Sequence, residues 1–312
     1  MWEQGGRIEK KMGSCIVKSI VSLLLLMVIP VAYSVDPAEI PELLHHGGRV
    51  LTGRLNIGIL WYGPIPKGQK RAILSFLRSL NTNGTGASNQ PNVATWWNKV
   101  ESYQSFTKPA AQSTTTPSTI LVKVVNQAYD PNYSIGKVII TDFVKRLIPA
   151  ATGGKPNTLA VIVATRGVTI QDMCAGECAQ HGRVDDQLYV AVGDPEDECP
   201  VCAWPFKESA NKKGQTLKPP SGDVGADVMV RLLAGGLAGA VTNPHDDGFY
   251  ALARGEILIE ATSKCPDIFA SGGNVLLDET NGGAYNAVGS KGEKFLLPAI
   301  WDPASSSCWT PI

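Results

Sequence analysis

Cys174-x3-Cys178 and Cys199-x2-Cys202 have the spacing of zinc ligands, and His181 follows close behind. The same residues, with Cys265 and Cys308, also make an even set of six, which reads as three disulfides with 15 possible full connectivities. The compartment decides between these chemistries, because disulfides persist where the surroundings are oxidising. Beyond the cysteines, chemistry-bearing residues are sparse. The four histidines are His45, His46, His181 and His245, too few for an obvious metal cage or triad. Asp185-Asp186 and Asp246-Asp247 are carboxylate pairs, but glycoside hydrolysis needs two carboxyls facing one another across roughly 5–9.5 Å. Neighbours in sequence do not supply that, and both pairs are expected in solvated turns. No G-x-S-x-G, H-E-x-x-H, phosphate-binding G-x-x-x-x-G-K-S/T or G-x-G-x-x-G motif occurs.

The N-terminus settles the compartment. Lys10, Lys11 and Lys18 precede an apolar run from Ile20 to Val31, and Ala32-Tyr33-Ser34 offers small residues at −3 and −1 of a cut. That is the plan of a secretory signal peptide, and the run is short for a spanning helix, which needs roughly 20 apolar residues. Residues 1–34 are therefore read as the signal and 35–312 as one mature domain, with Met12 an alternative start. Cleavage takes away Cys15, four Lys/Arg and two Asp/Glu, leaving 278 residues near −2. Oxidised cysteines follow from export, so the expectation is disulfides, with no metal and no cofactor. The sequons at Asn83 and Asn132 are glycan candidates in polar, turn-rich stretches. No later segment is expected to be long and apolar enough to cross a bilayer.

Composition excludes several classes. Of 312 residues, 28 are Lys or Arg and 28 Asp or Glu, and charged residues make up 18% against 44% hydrophobic. This is neither a disordered polyelectrolyte nor a basic nucleic-acid binder.

The elements that must position these groups alternate in type. Strands are expected at Leu55–Trp61, Ile120–Val125, Thr158–Ala164 and Leu188–Val192, with short ones near Val275–Leu277 and Phe295–Leu297. Helical spacing marks Lys67–Leu80, Asn92–Tyr103, Val138–Ile148 and Asp227–Val241. The fold class is α/β or α+β, a central sheet flanked by helices, with the cysteines stapling the C-terminal half. The last helix is apolar all round, hence buried, and carries Gly235, Gly236 and Gly239, each costing about 1 kcal/mol against Ala. Its stretch GGLAGAVTNPHDDGFY, with Gly255-Glu256-Ile257 behind it, resembles zinc metallopeptidases in which a His–Glu helix runs into A-V-T-D-P and D-G-W/F-Y. The three glycines stand where the first His, the Glu and the next ligand would be, so zinc chemistry is absent from this helix. What the likeness leaves is a distant, degenerate zincin-like architecture, whose old cleft would bind peptides through Gly235 and Gly239 facing an open groove.

Several motifs in order point to one family. They are Ile59-Leu60-Trp61-Tyr62-Gly63, Trp96-Trp97, Cys202-Ala203-Trp204-Pro205-Phe206, Gly222-Asp223-Val224-Gly225, Val241-Thr242-Asn243-Pro244, Tyr285-Asn286-Ala287 and Phe295 to Pro303, FLLPAIWDP. From about His46 to Cys308 the chain resembles the plant EXORDIUM-like, phosphate-induced proteins. It departs from them at Cys199-Pro200-Val201-Cys202, one residue shorter than the usual C-P-G-x-C, and in a Lys-rich loop at 207–220. The resemblance implies secretion to the apoplast or cell wall and a non-enzymatic part in plant growth and cell expansion, linked to brassinosteroid and carbon status. The partner would be an extracellular protein, a receptor or a wall polysaccharide, contacted by Trp61, Tyr62, Trp96 and Trp97 if these are not core. The alternatives are the peptide-binding degenerate zincin and a wall-active hydrolase, for which His181, Asp185, Asp186 and Asp223 are the residues to test.

Overall fold

The computed structural model describes residues 41–81, 90–107, 117–175, 178–212, 214–253 and 257–312. The segment read as a signal, the sequon at Asn83 and the pair Gly255-Glu256 lie outside the described residues. Strands Arg54–Tyr62 (β1), Leu121–Asp130 (β2), Thr158–Ala164 (β3), Gln180–Val184 (β4) and Gln187–Gly193 (β5) form one sheet in the order β2-β1-β3-β5-β4. All neighbours run parallel except β4, which pairs antiparallel with β5 as an edge, His181 opposite Val190. The sheet is covered on both faces, which explains why β3 is an unbroken apolar run, TLAVIVA, buried at every position.

The pleat splits that run between two cores. Ile57, Ile59, Trp61, Val161 and Val163 face helices Lys67–Ser79 (α1), Val93–Glu101 (α2) and the later Val224–Thr242. Leu60, Tyr62, Ala160 and Ile162 face the helix Thr141–Thr152 (α3). Each helix turns its apolar stripe inward, as Ile73, Phe76 and Leu77 of α1 show. Val224–Thr242 (α4) packs against α1 and β5.

Several expectations needed correction. Val138–Ile148 is not one helix: Val138–Ile139 pairs in parallel with Thr169–Ile170, and the helix starts only at Thr141. The two β-branched residues continue an apolar stretch that looks helical on spacing alone. Strand β2 runs five residues past Val125, to Asp130, and α4 starts at Val224 rather than Asp227. Strand β4 and the antiparallel pairs of Phe249–Ala253 with Leu44–His45 and Ile257–Ile259 were not anticipated. The stretches near 276 and 295 do hold short strands, Leu276–Leu277 and Lys294–Phe295. A further correction concerns membrane crossing: α4, 19 residues at mean hydropathy 1.5, is long and apolar enough to span a bilayer. Here 83% of that apolar stretch is buried within the protein.

The four aromatics offered as contact surface are core, each at most 1% exposed. Their polar tips are satisfied inside, as buried Trp and Tyr require. Trp96 Nε1 donates to the Pro298 carbonyl at 2.8 Å and Trp97 Nε1 to the Ile120 carbonyl at 3.1 Å. The six cysteines after residue 34 form three disulfides, Cys174–Cys199, Cys178–Cys202 and Cys265–Cys308, with Cα separations of 5.7, 5.3 and 5.6 Å. The first two tie the approach to β4 to the single helical turn Pro200–Ala203, and the third ties the C-terminal strand Ser307–Trp309 to the body.

Candidate functional site

In open sheets with parallel strands and helices on both faces, ligands bind outside the carboxyl ends of the strands. Here those ends are Tyr62, Ala164 and Gly193, and a buried carboxylate, Asp194, follows the last of them. It accepts Gln69 Nε2 from α1 at 3.2 Å and Arg166 Nη2 at 3.2 Å. It also lies against Gly225 in the first turn of α4, where an added Cβ would fall 2.3 Å from its Oδ2. Only glycine lets α4 close this far, so Asp194 pins the starts of both helices to the sheet.

A cavity of about 420 Å³ opens beside that junction, within the usual range of ligand pockets, roughly 300–1,000 Å³. Gly68, Arg71 and Ser75 of α1 form one wall, and Ser221, Asp223 and Asp227 at the start of α4 form the facing one. Asp278, Glu293, Lys294 and Phe295, from the C-terminal hairpins, close the third side.

The acidic wall residues each have a definite hydrogen-bonding role. Asp223 is the N-cap of α4, its Oδ1 accepting the Ala226 N–H at 2.9 Å. One turn on, Asp227 is 4% exposed, and its Oδ2 accepts both the N–H and the Oγ–H of Ser221 at 2.8 Å. Burial pushes the Asp227 carboxyl up to about 7 against those two bonds, with a small further push from Asp223. Its Oδ1 takes no hydrogen bond among the described residues. Asp278 pairs with Lys294 at 2.8 Å, and the bonds from Lys294 and Thr280 hold its carboxyl down at about 2. Glu293 accepts the Ser75 hydroxyl and the Lys291 N–H; burial raises its carboxyl, but these bonds outweigh that and leave it below the usual range.

Of the residues offered for hydrolysis, only Asp223 lines this cavity. Asp185 and Asp186 sit in the exposed β4–β5 turn, paired with Lys145 and Arg183 respectively. Asp246 and Asp247 are likewise exposed, as expected. His181 lies elsewhere: its Nε2 is 2.6 Å from Glu260 Oε2, whose Oε1 accepts Asn243 Nδ2 at 2.7 Å. This cluster fills the space over Gly239, where a Cβ would fall 2.4 Å from His181 Nε2; Val190 fills the space over Gly236 at 2.6 Å. The open groove required of a peptide-binding zincin relic is therefore not present along these glycines; only Gly235 is half-exposed, and a Cβ there would fall 3.3 Å from the Thr262 hydroxyl. Among the described residues no group of three or more His, Cys, Asp or Glu is placed to hold a metal. Cys174, Cys178, Cys199 and Cys202 are consumed by disulfides rather than gathered as ligands. Asn132 lies exposed in the turn after β2.

Residues 43–311 match the Phosphate-induced protein 1 conserved region. The chain belongs to that plant family. It is 34% identical to Protein EXORDIUM of Arabidopsis thaliana over 296 residues, covering 89% of this chain and 92% of the relative. It is 36% identical to Protein EXORDIUM-like 2 of the same plant over 283 residues, 85% and 88% of the two chains. Protein PHOSPHATE-INDUCED 1 of Nicotiana tabacum is 33% identical over 293 residues, 88% and 90%. No solved structure matches. The relatives' names state no reaction, so this EXORDIUM-family chain inherits no catalytic residues from them. Ser221, Asp227, Asp278, Glu293 and Lys294 escaped the sequence reading. The spacing Asp223-x3-Asp227 at a helix start was the one available signal, since residues four apart share a helix face.

Proposed function

We propose that this chain is a secreted apoplastic or wall-associated protein that takes part in plant growth and cell expansion, linked to brassinosteroid and carbon status, by binding and not by catalysis. The observation that carries the reading is the pairing of all six cysteines of residues 35–312. Three disulfides belong to an oxidising compartment, and a basic, then apolar N-terminus is the matching export signal. The mature start is at Val35, and the sequons Asn83 and Asn132 are glycan acceptors. The partner is an extracellular protein, a receptor or a wall polysaccharide.

The test is expression of the full chain in plant cells, intact mass of the protein in the apoplastic wash, and cell length in lines with and without it. A start at Val35, no free thiol and altered cell length are expected. Retention inside the cell, or reduced cysteines, overturns the export reading; unchanged cell length in null and overexpressing lines overturns the growth role.

A hydrolase reading is favoured by one observation: Asp223 and Asp227 share the cavity wall, and burial pushes the Asp227 carboxyl up to about 7, where it can serve as a general acid. Release of reducing ends from wall polysaccharides, lost in Asp223→Asn, would establish it. No release from any polymer leaves binding alone.

A further inference from the structure

The walls of the cavity carry donors and acceptors in near balance. Asp278 is neutralised by Lys294, Asp227 is an acid held by Ser221, and the remaining charges are the Asp223 and Glu293 carboxylates against the Arg71 guanidinium. An anionic ligand would meet Asp223 and Glu293 at close range, and a cationic one would meet Arg71 and Lys294. A hydroxyl group meets neither obstacle, because it donates to a carboxylate and accepts from a guanidinium, an ammonium or a carboxyl O–H. Phe295 adds an apolar patch to the same cavity. Alternating hydroxyl edges and C–H faces are the surface of a sugar.

Asp227 gives the strongest pointer. It is almost wholly buried, yet it borders the cavity and has one oxygen fully used. Oδ2 already accepts two hydrogen bonds, so Oδ1, without a hydrogen bond among the described residues, is the oxygen that carries the proton whenever the carboxyl is protonated. A donor is thereby presented beside the acceptor Asp223, one turn earlier on the same helix. With the rest of the side chain buried, that oxygen has only the cavity to bond, through a ligand or through water.

We propose that the cavity between α1, the start of α4 and the C-terminal hairpins binds a neutral polyhydroxylated ligand, either a free sugar or the end of a wall oligosaccharide. The inference rests on the binding reading above and names its ligand class. Asp227 donates from Oδ1, Asp223 and Glu293 accept, and Arg71 at the exposed rim donates to an outer hydroxyl. The charged groups around Asp227 are Asp223 on its own helix, Arg71 on α1, and Asp278, Glu293 and Lys294 on the hairpins; Asp194 lies behind, at Gly225.

The test is titration calorimetry on the secreted full chain with glucose and sucrose as free sugars, and cellotetraose and a xyloglucan heptasaccharide as wall fragments. Trigalacturonate and spermidine serve as charged controls. Saturable binding of at least one neutral ligand is expected, with neither charged control bound more tightly. Preference for the small sugars identifies a soluble ligand, and preference for the oligomers a wall ligand. Asp227→Ala, Asp223→Ala and Arg71→Ala should each weaken binding tenfold or more, while Asp186→Ala in the remote turn leaves it intact. Arg71 is exposed, so its variant keeps the test valid if the buried ones fold poorly. Binding should weaken as pH rises past 7, and Asp227→Asn, whose amide replaces the donor, should lose that pH dependence. Absence of neutral-sugar binding up to 10 mM, tighter binding of a charged control, or indifference to all three cavity variants overturns the proposal. A protein that is exported and alters cell length yet binds no sugar would sink this inference and leave the functional reading standing.

Discussion

His181 Nε2 lies 2.6 Å from Glu260 Oε2, and the pair occupies the space over Gly239 that any side chain there would need. Gly239 is thus an accommodation to groups arriving from β4 and from the segment after Ile257–Ile259, and Gly236 to Val190 of β5. They are not the floor of a groove.

Two alanine substitutions in α4 should therefore move stability in opposite directions. Gly239→Ala drives a methyl to 2.4 Å from the imidazole, an overpacking that costs about 1–3 kcal/mol. Gly235→Ala meets only the Thr262 hydroxyl at 3.3 Å and gains helix propensity, so it should be neutral or stabilise by up to about 1 kcal/mol. Urea unfolding of the two variants decides it. Equal losses at both sites would mean that the whole glycine face is tightly packed.

Asp227 makes stability depend on pH. Its carboxyl, near 3.8 when unfolded, is pushed up to about 7 in the folded chain, chiefly by burial. Between pH 4 and 7 the folded state therefore holds a proton that the unfolded state has released. Stability from this group is fully present below about pH 4, falls as pH rises, and levels off above 7. The whole loss is on the order of 4 kcal/mol. Asp227→Asn keeps the acceptor for Ser221 and cannot ionise, so it should flatten the profile and be the more stable form at pH 8. Denaturant titrations at pH 4.5, 6 and 8 measure both effects, and an unchanged slope in the variant would place the titration elsewhere.

Much of the fold was legible because burial on both faces writes unbroken apolar runs, as at Thr158–Ala164, and one-sided burial writes helical spacing, as at Lys67–Ser79. Strand β4 was invisible: its QHGRV is an edge with polar residues half-buried against neighbours far away in sequence. Val138–Ile148 misled because two strand residues abut a helix of like apolarity. The cavity was mostly hidden, since its walls are brought together from around residues 70, 223 and 290 by packing alone. Only Asp223 stood out, as a polar residue beside the cysteine-stapled loops, and the helix it caps was expected to start at Asp227.

Trp97 tests whether the paired tryptophans are structure or contact surface. Its ring is 1% exposed and stacks beside Trp96 with centroids 6.3 Å apart, while its Nε1 holds the Ile120 carbonyl just before β2. Trp97→Ala should cost about 3–5 kcal/mol through the cavity left behind. Trp97→Phe should cost less but leave that carbonyl without its donor, about 1–3 kcal/mol. Thermal melts of both variants read this out, and a silent Trp97→Ala would return the residue to the surface.

The disulfide Cys265–Cys308 spans 43 residues and is the covalent tie of the C-terminal strand Ser307–Trp309, which carries Trp309 to within 5.1 Å of the Lys99 ammonium. Closing a loop of this length removes chain entropy from the unfolded state, worth about 3–4 kcal/mol. The strand itself is short, pairing only Ile300–Asp302 with Ser307–Trp309, so its own hydrogen bonds hold it weakly once the tie is gone. Replacing both cysteines with serine should lower the unfolding free energy by that amount. It should also raise hydrogen exchange first within Ser307–Trp309, while the sheet strands β1 and β3 stay protected until global unfolding. Exchange that rises uniformly through β1 and β3 instead would show that the tail and the sheet unfold as one unit.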